Sequence, residues 1–198
     1  FLFVSSIAVS FRDRQGYHYA DSKEQAEQLL KNSALPWCTL RPTIILGEGS
    51  PIWHSFRALA SKSLIVLPGN GRSLIQPIDV DDLARLMLDI IGERRFNNEV
   101  LEIGGPEALS LDNFVQRIHH ACCGGQPRIV HLPLGLVLTP LRLVERVLPS
   151  LLPVSSGQFA SFNNDGTVTA HALVTPADGK MRDVDEMLQY LIGSETHG

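Results

Sequence analysis

The sequence predicts an α/β fold, and three observations carry that reading. Strand-like and helix-like segments alternate along the chain, the pattern of a sheet layered with helices. Of 198 residues, 44% are apolar and 19% charged, a composition that excludes a disordered chain and supplies a packed core. No internal repeat or low-complexity tract interrupts it. A chain of this length buries about 70% of its unfolded surface without disulfide or metal staples. Length also favours one domain with a small appendage.

Residues 1–4 read as a strand. A helix is expected over 20–32, with Ala26, Leu29 and Leu30 as its core contacts and Pro36 just past its end. Residues 37–40 form a second short strand, closed by Arg41 and Pro42. Residues 52–61 read as a helix. The runs 64–67 and 74–78 flank the turn Pro68, Gly69, Asn70, Gly71, which suits a hairpin or an open loop. Next comes a helix over 80–91. Asp79 caps it, Asp81 and Asp82 occupy its positively polarised first turn, and Gly92 follows its end. A strand over 100–103 closes at Gly104, Gly105 and Pro106. Ser110 caps a helix over 111–122, with Leu109 and Phe114 as a hydrophobic staple across the cap. A strand over 128–131, an apolar helix over 134–147 and a last helix over 183–191 complete the pattern. The stretch 155–178 is polar, contains glycine and matches no element. A boundary falls near Gly104, dividing a sheet-bearing portion, 1–104, from a smaller and mostly helical one, 105–198.

Charge and cysteine usage narrow the partners. The net charge is −4 and no polybasic run occurs, so nucleic acid is not an expected partner. Cys38, Cys122 and Cys123 cannot all pair with one another, which fits a reducing compartment such as the cytoplasm. The opening FLFVSS reads as a buried strand running into a site and lacks the layout of a secretory signal. The first residue is Phe1, so the expectation is that further sequence, with any targeting signal, precedes it. The longest apolar stretch, 132–154, is broken by Pro140, Arg142, Glu145, Arg146 and Pro149. A spanning helix needs about 20 mostly uncharged residues, so no transmembrane segment is expected. Residues 134–152 have two readings. They pack on the core with Arg142, Glu145 and Arg146 as a polar stripe, or they offer an apolar surface to a membrane or protein partner.

The chemistry centres on Tyr19 and Lys23. Four residues apart in a helix, they share one face, one turn apart. A phenol is a poor base at neutral pH, and a nearby ammonium favours its phenolate. The pair is then usable as an acid/base. Ser6, at the end of the preceding strand, can donate a hydrogen bond to a substrate oxygen. Together the three groups can move a proton on and off a carbinol oxygen while a hydride leaves its carbon.

The order of the segments FVSSIAV (3–9), YADSK (19–23), LRPTIILG (40–47) and PIDVDDLA (77–84) resembles the extended and atypical short-chain dehydrogenases/reductases, the NAD-dependent epimerase/dehydratase superfamily. The branch that it resembles contains the NAD(P)H-binding 39 kDa-type accessory subunits of respiratory complex I. The resemblance covers residues 1–133. It implies the C-terminal part of a Rossmann-like, doubly wound parallel sheet with a small helical portion. Ser6 then matches the catalytic hydroxyl, Tyr19 the acid/base, and Lys23 the residue that binds the nicotinamide ribose and tunes the tyrosine. Ser5, Pro42, Thr43 and Ile45 match segments beside the cofactor, largely through backbone. The implied cofactor is NAD or NADP, and the implied activity is oxidation, reduction or epimerisation at an alcohol or carbonyl carbon. A non-catalytic NAD(P)H-binding module with a structural or sensing role in a larger assembly is the alternative.

Two departures from the family matter. No G-x-G-x-x-G occurs, so the loop that seats the pyrophosphate is expected upstream, and this chain alone is expected to bind dinucleotide weakly or not at all. The arginine that holds a sugar-nucleotide phosphate aligns with Ile75, while Arg72 lies three residues too early. That exchange disfavours an anionic sugar nucleotide. Leu74, Ile75, Leu134, Leu136 and Val137 suit either an apolar ligand or ordinary core packing. His119 and Cys123 share a helix face, but a closed zinc site needs about four ligands, and a helix C-terminus accounts for them. Capping likewise accounts for Asp79, Asp81 and Asp82. No metal is expected.

Overall fold

The computed structural model describes residues 1–14, 16–133, 135, 164–168 and 179–195. Strand β1 (Leu2–Val4) ends at Ser5 and Ser6, where a 3-10 turn over Ile7–Ser10 begins. The Ser6 hydroxyl caps that turn by accepting from the Ala8 amide at 3.2 Å. Helix α1 (His18–Lys31) leads to β2 (Cys38–Pro42) and β3 (Ile45–Leu46). Helix α2 (Pro51–Ala60) opens on a proline, whose missing N–H costs nothing in a first turn. Three short strands follow, β4 (Leu64–Pro68), β5 (Leu74–Ile75) and β6 (Ile78–Asp79). Asp79 then caps α3 (Val80–Gly92) by accepting from the Asp81 amide at 2.8 Å. Beyond β7 (Glu99–Ile103) and β8 (Leu109–Ser110), Ser110 caps α4 (Leu111–Cys123) through the Asn113 amide. Strand β9 is Arg128–Leu132. The last described helix, α5 (Val184–Glu195), starts with a reciprocal box. The Glu186 amide donates to Asp183 at 2.8 Å, and the Asp183 amide donates back to Glu186 at 3.1 Å.

The architecture is mixed α/β with parallel pairing, as expected. Strands β1, β2 and β7 form a parallel sheet with β2 in the middle. Strand β3 pairs in parallel with β6, and β4 in parallel with β9. Among the described residues, only β5 with β8 is antiparallel. The runs on either side of the 68–71 turn therefore form no hairpin, and the open-loop alternative holds. Their partners, β9 for β4 and β8 for β5, lie far along the chain, and a local turn signal carries no trace of them. Gly105 shows how tightly these pieces meet, because a Cβ there would lie 1.8 Å from the Pro77 carbonyl oxygen.

Among the described residues, two apolar clusters form the core. One sets Cys38, Leu40 and Ile103 of the sheet, with Ile78, against Leu83, Leu86 and Ile90 of α3. The other gathers Trp53, Ile65, Leu67, Phe114, Ile118, Met187 and Leu191 from α2, β4, α4 and α5, so it draws on both sides of Gly104. There Phe56 meets Phe114 edge-on at 5.1 Å. Helix α1 corrects the expected core list. Leu29 is 75% exposed and Ala26 is half-buried, while Ala20, Glu27 and Leu30 are buried. A buried carboxylate takes the place of a leucine because Arg41 lies opposite it.

Arg182 ties α5 to the first turn of α3. Its guanidinium donates to Asp79 at 2.9 Å and Asp81 at 3.0 Å, and it stacks 4.4 Å from the Tyr190 ring centroid. Its amide donates to Asp82, which also pairs with Arg85. The three aspartates thus cap a helix and receive arginines. The expected apolar helix over 134–147 lies outside the described residues, except Gly135. Of the unassigned stretch 155–178, residues 164–168 are described. Among the described residues no helix is long and apolar enough to cross a membrane. Cys38, Cys122 and Cys123 are all free thiols.

Candidate functional site

Because β1 and β2 run in parallel and in register, their carboxyl ends deliver Ser5, Ser6, Pro42 and Thr43 to one edge of the sheet. The Ser5 amide completes the pairing by donating to the Leu40 carbonyl at 2.7 Å. Ligands of open α/β sheets bind in the crevice outside such strand ends. Helix α1 passes beside this edge. Lys23 Nζ donates to the Val4 carbonyl at 2.9 Å, and it lies 5.3 Å from the Phe3 ring centroid and 5.7 Å from that of Tyr19. The four-residue spacing therefore does what the sequence predicts, bringing ammonium and phenol together on one helix face. The Lys23 contact also locks that face to the strand from which Ser6 emerges.

The two neighbouring phenols differ. The Tyr19 side is half exposed, and its ring lies 5.8 Å from that of Tyr17. Burial, with Tyr19 nearby, pushes the Tyr17 phenol above its ordinary value, so Tyr17 stays protonated at neutral pH. Ser6 accepts from the Ala8 amide, which leaves its own hydroxyl hydrogen to be donated.

Beneath these groups lies an ionic network that sequence reasoning missed. Glu27 is 1% exposed and accepts from Ser5 Oγ at 2.6 Å, Arg41 Nε at 2.9 Å and Arg41 Nη2 at 2.7 Å. Arg41 also donates to Ser10 at 3.0 Å and lies 3.4 Å from Glu102. Burial alone would push the Glu27 carboxyl up, but Arg41 and Ser5 together hold it below the usual carboxylate range. The Arg41 guanidinium is raised in turn, mainly through its hydrogen bonds to Glu27. The available signal was Glu27 one helical turn after Lys23, together with an arginine closing an otherwise apolar strand.

The inward partners also settle how Ser5 and Thr43 face. The Ser5 hydroxyl is engaged by Glu27. The Thr43 hydroxyl donates to the Gln76 carbonyl, and its amide donates to Ile103. Pro42 ends β2 and Ile45 starts β3. Lys23, bonded to the Val4 carbonyl, and Ser6, two residues further on, thus both lie at the carboxyl end of β1. No described helix opens on a glycine-rich phosphate loop.

The remaining candidates lie elsewhere. Ile75 is partly buried against the second cluster and pairs with Leu109, while Leu74 is 38% exposed. Leu134, Leu136 and Val137 are outside the described residues. Arg72 is exposed, and its amide donates to Asn70. His119 is buried in α4, where its Nδ1 donates to the Ala60 carbonyl at 2.6 Å and joins α4 to α2. Among the described residues no cluster of three metal-binding side chains occurs.

No family model matches the chain. A protein of Arabidopsis thaliana named chloroplast stem-loop binding protein of 41 kDa b is 28% identical over 113 residues, 55% of this chain and 30% of that protein. NADH dehydrogenase [ubiquinone] 1 alpha subcomplex subunit 9 of Dictyostelium discoideum mitochondria is 28% identical over 102 residues, 51% of this chain and 28% of that protein. These matches span less than a third of either relative. Among solved structures, a nucleoside-diphosphate-sugar epimerase of Staphylococcus aureus superposes with a TM-score of 0.66 at 14% identity, covering 95% of this chain and 63% of that one. RMD from Pseudomonas aeruginosa, solved with NADPH, gives 0.65 at 14%, covering 100% and 66%. The chain thus shares the Rossmann-like α/β fold of these structures, the fold that the sequence motifs implied.

Proposed function

We propose that this chain carries the acid/base half of an NAD(P)-dependent oxidoreductase or epimerase acting on an alcohol or carbonyl carbon. Tyr19 is the acid/base, Lys23 its electrostatic partner and Ser6 the donor that orients the substrate oxygen. One observation supports the reading above all: the Lys23 ammonium sits between the Val4 carbonyl and the Tyr19 ring, beside the strand end that carries Ser6. When bound, the nicotinamide takes a hydride from the carbinol carbon or returns one to the carbonyl carbon. In the oxidising direction Tyr19 takes the hydroxyl proton, and in the reducing direction it gives the proton back. Lys23 stabilises the charge on the phenol oxygen meanwhile and holds the ribose. Backbone at Ser5, Pro42, Thr43 and Ile45 flanks the nicotinamide end. An NADPH-bound neighbour supports NAD or NADP as the cofactor. Ile75 in place of a phosphate-binding arginine supports a small, apolar substrate over an anionic sugar nucleotide.

A second reading, a non-catalytic NAD(P)H-binding module in a larger assembly, is supported by the likeness to the Dictyostelium NADH dehydrogenase subunit. The name of the Arabidopsis relative speaks of stem-loop binding, but a net charge of −4 does not favour a phosphate-rich partner for this chain. Three free thiols support a reducing compartment, either the cytoplasm or an organelle interior like those in the relatives' names.

The deciding experiment uses the full-length protein with NADH and crude metabolite or quinone pools, followed by cofactor fluorescence. Tyr19→Phe should lower turnover by about 10²–10⁴-fold while NADH affinity stays within about twofold. Turnover unchanged by Tyr19→Phe contradicts the assigned role. A static cofactor signal in the unmodified protein favours the module.

A further inference from the structure

We propose that Asn164 is a positioning residue for Tyr19, because residues 164–168 tie the loop residues Arg12 and Asp13, shortly ahead of α1, to β5. The proposal rests on the Tyr19 reading given above. Asn164 is buried and engages the loop in both directions. Its Oδ1 accepts from the amides of Arg12 at 3.1 Å and Asp13 at 3.2 Å, and its Nδ2 donates to the Asp13 carbonyl at 2.8 Å. An asparagine side chain offers this combination of acceptor and donor, and here it reads backbone some 150 positions away.

The strap continues along β5 and the residue that follows it. Asp165 accepts from the Leu74 amide at 2.9 Å, the Gly166 amide donates to the Leu74 carbonyl at 2.8 Å, and the Val168 amide donates to Gln76 Oε1 at 2.9 Å. Gln76 passes the connection on, since its Nε2 donates to the Gly105 carbonyl and its own carbonyl receives the Thr43 hydroxyl. At the loop end, the Tyr17 amide donates to the Arg14 carbonyl at 2.8 Å, and Arg14 pairs with Glu24 of α1 at 3.0 Å. The Tyr17 ring then meets the Tyr19 ring. One run of contacts therefore joins the Thr43 strand end to the phenol, and Asn164 is the link between the C-terminal part of the chain and the loop. A loop held only by its own turns samples many conformations on the nanosecond to microsecond scale. Clamping two adjacent amides removes much of that freedom just ahead of the helix that presents Tyr19.

The test uses full-length protein carrying 3-fluorotyrosine, with the Tyr19 resonance assigned through Tyr19→Phe. In Asn164→Ala, amide exchange at Arg12 and Asp13 should rise at least about tenfold, as expected for lost buried hydrogen bonds. The Tyr19 fluorine resonance should move or broaden, while the Ser5 amide keeps its protection. NADH turnover should fall with NADH affinity unchanged. A Tyr19 resonance that stays in place after release of the two amides overturns the proposal, as does unchanged turnover. Should Asn164→Ala fail to fold, Asn164→Asp carries the same readout, because it keeps an oxygen facing both amides and replaces only the donor to Asp13. A smaller displacement of the Tyr19 resonance is then expected, and none contradicts the proposal. Wild-type protein without turnover contradicts the oxidoreductase reading alone, since the Tyr19 resonance still decides the positioning role.

Discussion

Around Trp53 and Phe114 the interior is apolar, closed by aromatic contact and a single buried histidine, whereas beneath Ser5 and Ser6 it holds a carboxylate sealed under a guanidinium. The two regions are held by different physics. The apolar cluster gains from every methylene removed from water, and several side-chain sets could fill it equally well. The ionic network gains little net free energy, because desolvating Glu27 and Arg41 offsets most of their attraction. Its value is geometric. A bidentate pair fixes α1 against β2, and with α1 it fixes Lys23 and Tyr19 against the strand end. The costly polar network thus lies beneath the candidate site, and the apolar cluster around Trp53 and Phe114 draws on α2, β4, α4 and α5 instead.

That contrast can be broken by mutation. Trp53→Ala should destabilise the fold by about 3–5 kcal/mol through a large cavity, with NADH affinity of the folded fraction unchanged. Urea unfolding and cofactor titration on the same samples check both halves. Glu27→Ala should cost a similar amount, about 3–5 kcal/mol, by leaving Arg41 without its partner, but it should also lower turnover. If turnover survives, the network is structural only.

Acid sharpens the comparison. The folded-state Glu27 carboxyl is held below its unfolded value, so the network's contribution is whole above the ordinary carboxylate range. It is lost progressively as the pH falls from that range through the lower folded-state value. Glu27→Gln should therefore flatten this part of the stability-versus-pH curve, and Trp53→Ala should leave its slope alone. The smallest effect is expected at Leu29→Ser, within about 0.5 kcal/mol, because the side chain already faces water. A larger loss would place Leu29 in an interface.

Leu29 and Glu27 also show what the sequence made legible. Helices α3 and α4 stood out because their signals are local: Asp79 and Ser110 as caps, followed by apolar residues at helical spacing. The Tyr19 and Lys23 pairing was legible for the same reason. In α1 the spacing selected Leu29 as a core residue and left Glu27 as surface. Only the register of β2, which brings Arg41 over the helix, reverses that choice. The β4 pairing with β9 and the clamp of Asn164 on Arg12 and Asp13 join positions far apart, and nothing local to either partner announces them. Ser5 and Thr43 were found by motif, but the direction of their hydroxyls depends on Glu27 and Gln76, which no motif named.

The most direct test of the central claim is an amide-resolved NMR titration of the full-length protein with NADH. Resonances of Ser6, Tyr19, Lys23 and Thr43 should move on addition, while those of Trp53, Phe114 and Ile118 stay fixed. Movement confined to the apolar cluster, with the strand-end residues silent at saturating NADH, would contradict the assignment of the site.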